Sequence, residues 1–462
     1  MKIKVWLSII FITCVVTGCS FFSQSDSDSE MKNETLGLTP DFSYTVVQQV
    51  PNILVNQVGY LVDDSKVAIL HGKDLETEFV IYNALTHEEE YKGILKAGKI
   101  EISDSLNEAT GLTEKKDIYL ADFSKVTKEG TYYIYHPNLG YSYEFVIGTN
   151  IYNEVETKML QMIEKEENDT SLMCYQLTAL LLTKELYPNQ ILDTEYLDRL
   201  CKEKIERLLQ SQDSGSGAIY ADISTVEKIK DLDQTQKQQY ISLAATAEFA
   251  GTMAIYAYQM RDLDWNMYHQ CYGAAERAYR TIQNSLDNVA YDAGYFAAAH
   301  LYRLTGRGKY SQAVNQYLGM KEEQKSYTEY DFSLYADYAY ITFRYGVNLE
   351  TSEKVMKRLM SEAEEISLSS GRPTYYVSEQ KEYNDIDGKL QDMGNLALVN
   401  YIITNHEYTQ LQKNYRDYFM GRNPQNICYI DGFGVLNSME ETKKVTPKNC
   451  GLFYLLLQST KR

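Results

Sequence analysis

The chain has 462 residues, 44% of them hydrophobic, and carries 64 acidic against 45 basic side chains for a net charge of −19. That length and apolar content suffice for one large core and a smaller one. The acidic balance argues against nucleic acid or an anionic membrane surface as an electrostatic partner, since both need clustered cations, and it reads as a solubility feature.

The first residues form an address. MKIK is a basic start, and VWLSIIFITCVV is an apolar run too short for a comfortable membrane span. The run ends in VTGC, and small residues before Cys19 resemble a bacterial lipoprotein signal in which that cysteine is lipidated. Residues 1–19 are therefore expected to be a signal peptide with its lipobox, and the polar, Ser/Asp-rich residues 20–50 a flexible tether. The expected location is the outer side of a bacterial cell membrane, lipid-anchored. Of the other cysteines, Cys174, Cys201, Cys271, Cys428 and Cys450 are widely spaced with no Cys-x-x-Cys. They read as buried small hydrophobes rather than a disulfide frame or a zinc site.

Residues 51–149 have the period of strands. ILVNQVGYL alternates, KVAILHG and FVIYNAL are short β-rich runs, and EGTYYIYHP and YSYEFVIG close the region, which predicts an all-β immunoglobulin-like sandwich. From 150 to 462 the period is helical, in about twelve segments. Many, such as ISLAATAEFAGTMAIYAYQM and NCGLFYLLLQST, carry apolar residues and Ala on more than one face. Such helices pack between layers. An even number of antiparallel helices with no fixed repeat predicts a closed (α/α)6 barrel, with an open helical repeat as the runner-up.

Several linked motifs carry a family resemblance. ILVNQVGYLVDDSKVAIL (53–70), ADFSKVTKEGTYYIYH (121–136) and SYEFVIG (142–148) resemble the immunoglobulin-like domain that precedes many family 9 glycoside hydrolases. SLAATAEFAGTMAIYAY (242–258) resembles that family's Ala-Thr-Ala helix, and AAAHLYRLTGRGKY (297–310) its Ala-Ala-x-Leu-Tyr-x-x-Thr-Gly helix end. MGNLALVNYIITNHEY followed by YFMGRNPQNICYIDGFG (418–434) resembles the helix and Gly-Arg-Asn-Pro connector near its C-terminal loops. The resemblance implies a cellulase-type, inverting hydrolase of β-1,4-glucan on an (α/α)6 barrel, with polysaccharide as partner and no cofactor.

Inverting hydrolysis needs a carboxylate base and a carboxylic acid roughly 6.5–9.5 Å apart. The resemblance implies a base in an Asp-Ala-Gly-Asp loop between the first two barrel helices, but here only ENDTSLM joins them, with Asp169 its one aspartate. The Asp-Ala-Gly of AYDAGYF (290–296) lies on a different helix, so Asp292 reads as a helix N-terminal carboxylate. The implied Pro-His-His-Arg sugar loop is absent, since no histidine follows His406. The implied acid is a Glu just before the last helix, where Lys443 stands instead. Glu441 is the candidate for a displaced acid, against a plain charged turn MEETKK.

Sugar clefts stack pyranose rings on aromatic faces. The candidates are Trp265 and, from TYYVSEQKEYNDIDG (374–388), Tyr375, Tyr376 and Tyr383, although a chain with 41 tyrosines also uses them in packing. NDIDG lacks the spaced acids of a calcium loop, so no metal is expected. Gly421, Arg422, Asn423 and Pro424 read as a structural connector tied down by hydrogen bonds. Three functions stay open: a surface glycan binder with hydrolysis lost or impaired, an active glycosidase with a rebuilt acid–base pair, and a protein-interaction module.

Overall fold

Among the described residues ten strands precede the long helices: β1 (Ile53–Leu54), β2 (Gly59–Leu61), β3 (Val67–His71), β4 (Glu78–Asn83), β5 (Glu89–Ile94), β6 (Lys96–Leu106), β7 (Thr113–Asp122), β8 (Gly130–His136), β9 (Gly140–Tyr141) and β10 (Phe145–Gly148). The computed structural model describes residues 50–106, 113–283, 288–342, 348–370, 375–378 and 386–461. One sheet has the order β1-β3-β7-β6, the other β2-β10-β8-β4-β5 with β9 beside β8. Along β8 the burial alternates, with Tyr132, Ile134 and His136 inward and the residues between them half-buried, as a strand with one core face requires. The first sheet is different. Ile53, Ala68 and Leu70 enter the sandwich core, while Leu54, Ile69 and Ile118 join the core of the helical part. Both faces are buried, which is why ILV and VAIL read as unbroken apolar runs.

Among the described residues twelve long helices follow: α1 (Asn153–Glu164), α2 (Thr170–Leu186), α3 (Thr194–Leu209), α4 (Leu243–Met260), α5 (Trp265–Ile282), α6 (Tyr291–Thr305), α7 (Gly308–Leu318), α8 (Ser333–Thr342), α9 (Leu349–Ser370), α10 (Ile386–Ile402), α11 (Thr409–Phe419) and α12 (Cys450–Ser459). They alternate in kind. The odd-numbered helices are amphipathic: α3 buries Leu197, Leu200, Cys201, Lys204, Ile205 and Leu208, one stripe at helical spacing. The even-numbered helices are buried on nearly all sides: α4 buries every residue from 245 to 257, and α12 buries all ten of its residues. Even helices pack in the cyclic order α2-α4-α6-α8-α10-α12 and back to α2, so the ring closes as an (α/α)6 barrel and the open repeat is excluded. Small residues permit the close approach. A Cβ on Gly251 of α4 would stand 2.3 Å from the Phe296 ring of α6.

All five later cysteines are buried and unbridged. Among the described residues no helix is long and apolar enough to cross a membrane. The sandwich and barrel belong to one unit from Val50 onward. Their joint is polar as well as apolar. Gln57 donates from its backbone to Met420 O at 2.8 Å and from its amide to Asn426 O at 2.8 Å, and accepts from Val435 N at 2.8 Å.

Candidate functional site

Each inner helix is preceded by an outer helix that runs the other way, so the six inner N-termini gather at one end of the ring. Their first turns carry the polar residues of that mouth: Asp169 before α2, Ser242 before α4, Asp292 in α6, Asp331 and Ser333 at α8, Asp387 in α10 and Asn449 before α12. Carboxylates are favoured there because the free backbone N–H groups give a helix N-terminus partial positive charge. Under the mouth lies an aromatic floor. Tyr175 of α2 sits 5.6, 5.3 and 5.1 Å, centroid to centroid, from Tyr330, Phe332 and Tyr335.

Most of these carboxylates hold structure. Asp169 caps α2, accepting from Leu172 N at 3.0 Å, and accepts the Tyr330 hydroxyl at 3.3 Å. The connection before it is only five residues, 165–169. It is pinned by Arg207, whose guanidinium donates to Glu167 O at 3.1 Å and Asn168 Oδ1 at 2.7 Å. Asp292 accepts from Thr328 N at 2.9 Å and Phe332 N at 3.0 Å and from the Thr328 hydroxyl, so it moulds the turn that leads into α8. Asp387 pairs with Lys448 at 3.1 Å and accepts from Asn449 at 2.9 Å, joining α10 to the start of α12. Glu248 of α4 is fully buried. Burial first, then the charges of Asp292 and Asp169, push its carboxyl up to about 8, while the nearby Ser171 side chain pulls the other way.

Beside the mouth a polar cavity of about 430 Å³ runs between α8, α9 and α10. Tyr291, Tyr327, Asp331, Arg358, Glu362, Asp392 and Asn395 line it.

The residues singled out from sequence stand on several different elements. Trp265 is 68% exposed at the start of outer helix α5, with its ring 3.9 Å from that of His269. Tyr375 is buried, and its hydroxyl is hydrogen-bonded to His71 of β3 at 3.1 Å, in the sandwich–barrel joint. Tyr376 follows it with φ +59°. Glu441 begins a single 3-10 turn, Glu441–Lys443. Tyr383 and Cys19 lie outside the described residues. The connector is anchored through its buried side chains. Arg422 donates to Val67 O at 3.1 Å and Asn414 Oδ1 at 3.0 Å, and Asn423 to Tyr418 O at 2.8 Å and Ile427 O at 2.7 Å. Gly421 stands at φ +123°, and Pro424 is exposed. Among the described residues no group of His, Cys, Asp or Glu is arranged to hold a metal.

The model of glycosyl hydrolase family 9 matches residues 170–443, more than half of the chain. The chain belongs to glycosyl hydrolase family 9. The cellulase N-terminal ig-like domain matches residues 48–140. Endoglucanase D of Acetivibrio thermocellus is 22% identical over 472 aligned positions, covering 83% of this chain and 73% of that one. Among solved structures, a family 9 glycoside hydrolase of Bacteroides ovatus superposes with a TM-score of 0.68 at 16% identity, covering 89% of this chain and 98% of that one. A metagenome-derived family 9 endoglucanase gives 0.65 at 17% identity, over 83% and 86%. At those identities the two superpositions speak for the fold. In this family 9 barrel the sequence reading missed Tyr330, the Asn56–Gln57 pair and Glu248. The last two left a signal: Asn-Gln interrupts an apolar strand run, and Glu248 is the one charge inside LAATAEFAGTMAIYA.

Proposed function

We propose that this family 9 protein binds β-linked polysaccharide of the β-1,4-glucan type at the mouth of its helical ring, with hydrolysis lost or much reduced. One observation carries the reading: the five-residue connection before α2 offers a single aspartate, and Asp169 is engaged as the cap of α2 and the acceptor of Tyr330. An inverting pair needs one carboxylate free to take a proton from water and a second carboxyl poised across the sugar. At this mouth Asp292 and Asp387 are likewise engaged, in turn-forming bonds and an ion pair. The hydrogen-bonding rim suits a neutral polyol, while the four rings beneath it are at most 9% exposed and pack as core. Lipidation at Cys19 would hold the protein to the outer side of the membrane, with the polar stretch after it as a tether.

The test is a pair of measurements on the full chain: calorimetric titration with cello-oligosaccharides, and reducing-end release from β-glucans and xylan. Binding with release at background supports the reading. Turnover that falls by orders of magnitude in Glu441→Gln overturns it in favour of an active glycosidase, and absence of any sugar binding favours an interaction module.

A further inference from the structure

The cavity between α8, α9 and α10 is lopsided in charge. Its ionisable lining includes six carboxyls, Glu322, Asp331, Asp337, Glu362, Glu365 and Asp392, against two cations, Lys325 and Arg358. Both cations are already engaged within the wall. Arg358 pairs with Asp337 and reaches Glu362 at 3.5 Å, and Lys325 lies 2.8 Å from Glu322. Among the described residues no ion pair reaches Asp331, Glu365 or Asp392. Burial raises the Asp331 and Glu362 carboxyls above their ordinary values and pushes Asp392, which accepts from the Tyr415 hydroxyl at 2.8 Å, up to about 6.

A second observation is independent of charge. Asn395 is only 5% exposed and lines the same cavity. Its amide nitrogen donates to Glu362 at 2.6 Å, which fixes the amide's orientation, and its Oδ1 has no partner. A buried acceptor without a donor calls for one. The cavity thus has surplus acceptors and surplus negative charge, and its complement supplies donors and positive charge. A bare metal ion is a poor match, because no three carboxyls among the described residues converge on one point. The space suits a small molecule, since ligand pockets run from about 300 to 1,000 Å³. Tyr291 and Tyr327, 5.6 Å apart edge to face, add aromatic surface to the wall, and the Lys325 ammonium already sits 4.5 Å from the Tyr291 ring centroid.

We propose that this cavity takes a protonated amine carried on a hydroxylated ring, the chemistry of an amino sugar, with the ammonium held between Asp392 and Glu365 and a ring hydroxyl donating to Asn395. The ring as carrier rests on the glycan reading above, whereas the amine rests on this cavity alone. The experiment is calorimetric titration of the full chain at neutral pH with glucosamine, and with glucose, N-acetylglucosamine and putrescine as controls. Glucosamine is expected to bind at least tenfold tighter than the two neutral sugars. Glu365→Gln and Asp392→Asn are each expected to cut its affinity at least fivefold. Glu365 is exposed on an outer helix, so its substitution leaves the fold intact. Equal affinity for glucosamine and glucose, or indifference to both substitutions, overturns the proposal, and putrescine matching glucosamine overturns the ring. Cello-oligosaccharide binding, measured in parallel, separates the two readings: its absence with glucosamine binding retained fails the glycan reading and leaves the amine site standing.

Discussion

Arg416 Nη2 of α11 lies 2.8 Å from Asp64 Oδ2 of the sandwich, and both side chains are 1% exposed. Lys413 reaches the other Asp64 oxygen at 2.8 Å, Asp417 lies 3.0 Å from the same guanidinium, and Asn56 donates to Asp417 at 2.9 Å. Burial alone would raise the Asp64 carboxyl, but Arg416 and Lys413 outweigh it and hold it below the ordinary aspartate value. Removing one partner of such a buried network leaves charge uncompensated, at a cost of about 3–5 kcal/mol. Arg416→Met should therefore lose stability on that scale in urea unfolding, and Asp64→Asn should lose less because Asp417 still pairs the guanidinium. A loss under 1 kcal/mol for Arg416→Met would mean the joint does not depend on the network.

The connector offers a steric test of the same joint. A Cβ on Gly421, already at φ +123°, would lie 2.7 Å from Gln57 Nε2 and 2.9 Å from Val55 O. Strain at such a backbone conformation costs on the order of 1–3 kcal/mol, and overpacking about as much again. Gly421→Ala should lower the melting temperature and speed proteolysis between sandwich and barrel, while Pro424→Ala, at an exposed position, should do neither.

Glu248 makes a pH prediction. Its folded carboxyl titrates at about 8, chiefly through burial, whereas the unfolded chain releases that proton near the ordinary glutamate value of 4.5. Between those values the fold binds a proton that the open chain does not, so this residue's contribution falls as pH rises, by about 1.4 kcal/mol per pH unit. Above about 8 the slope disappears. Glu248→Gln keeps the shape and removes the titration, so its advantage over the parent should be absent near pH 4 and widen steadily toward pH 8. Parallel stability curves for the two proteins would refute this.

Much of the architecture was legible because burial writes a period into sequence. The even helices, apolar on more than one face, and the striped odd helices announce an inner and an outer ring, and the alternation of TYYIYH announces a strand with one core face. The connector's Gly-Arg-Asn was legible as an anchor, but not its partner. Nothing local in GRN says that Gln57, more than 360 positions earlier, packs against it. The mouth was harder still. Asp169, Tyr330 and Glu248 come from three separate stretches of the barrel and meet only because the ring brings their helix ends together. The places of Trp265 and Tyr375 were not legible for a related reason: an aromatic residue has the same letter on an exposed outer helix, in a domain joint or in a cleft.

Asp169 separates a structural carboxylate from a catalytic one. As the cap of α2 it accepts from Leu172 N, a role that Asn fills as well as Asp and that Ala cannot fill. Asp169→Asn should leave stability unchanged, and Asp169→Ala should cost about 1 kcal/mol. If the carboxylate only caps, both variants should bind cello-oligosaccharides as the parent does, with reducing-end release equally low in all three. A catalytic base behaves differently, because an amide cannot take a proton from water at neutral pH. A parent that turns over substrate, with an Asn variant of unchanged melting temperature that has lost that turnover, would identify Asp169 as the base and make this barrel an enzyme.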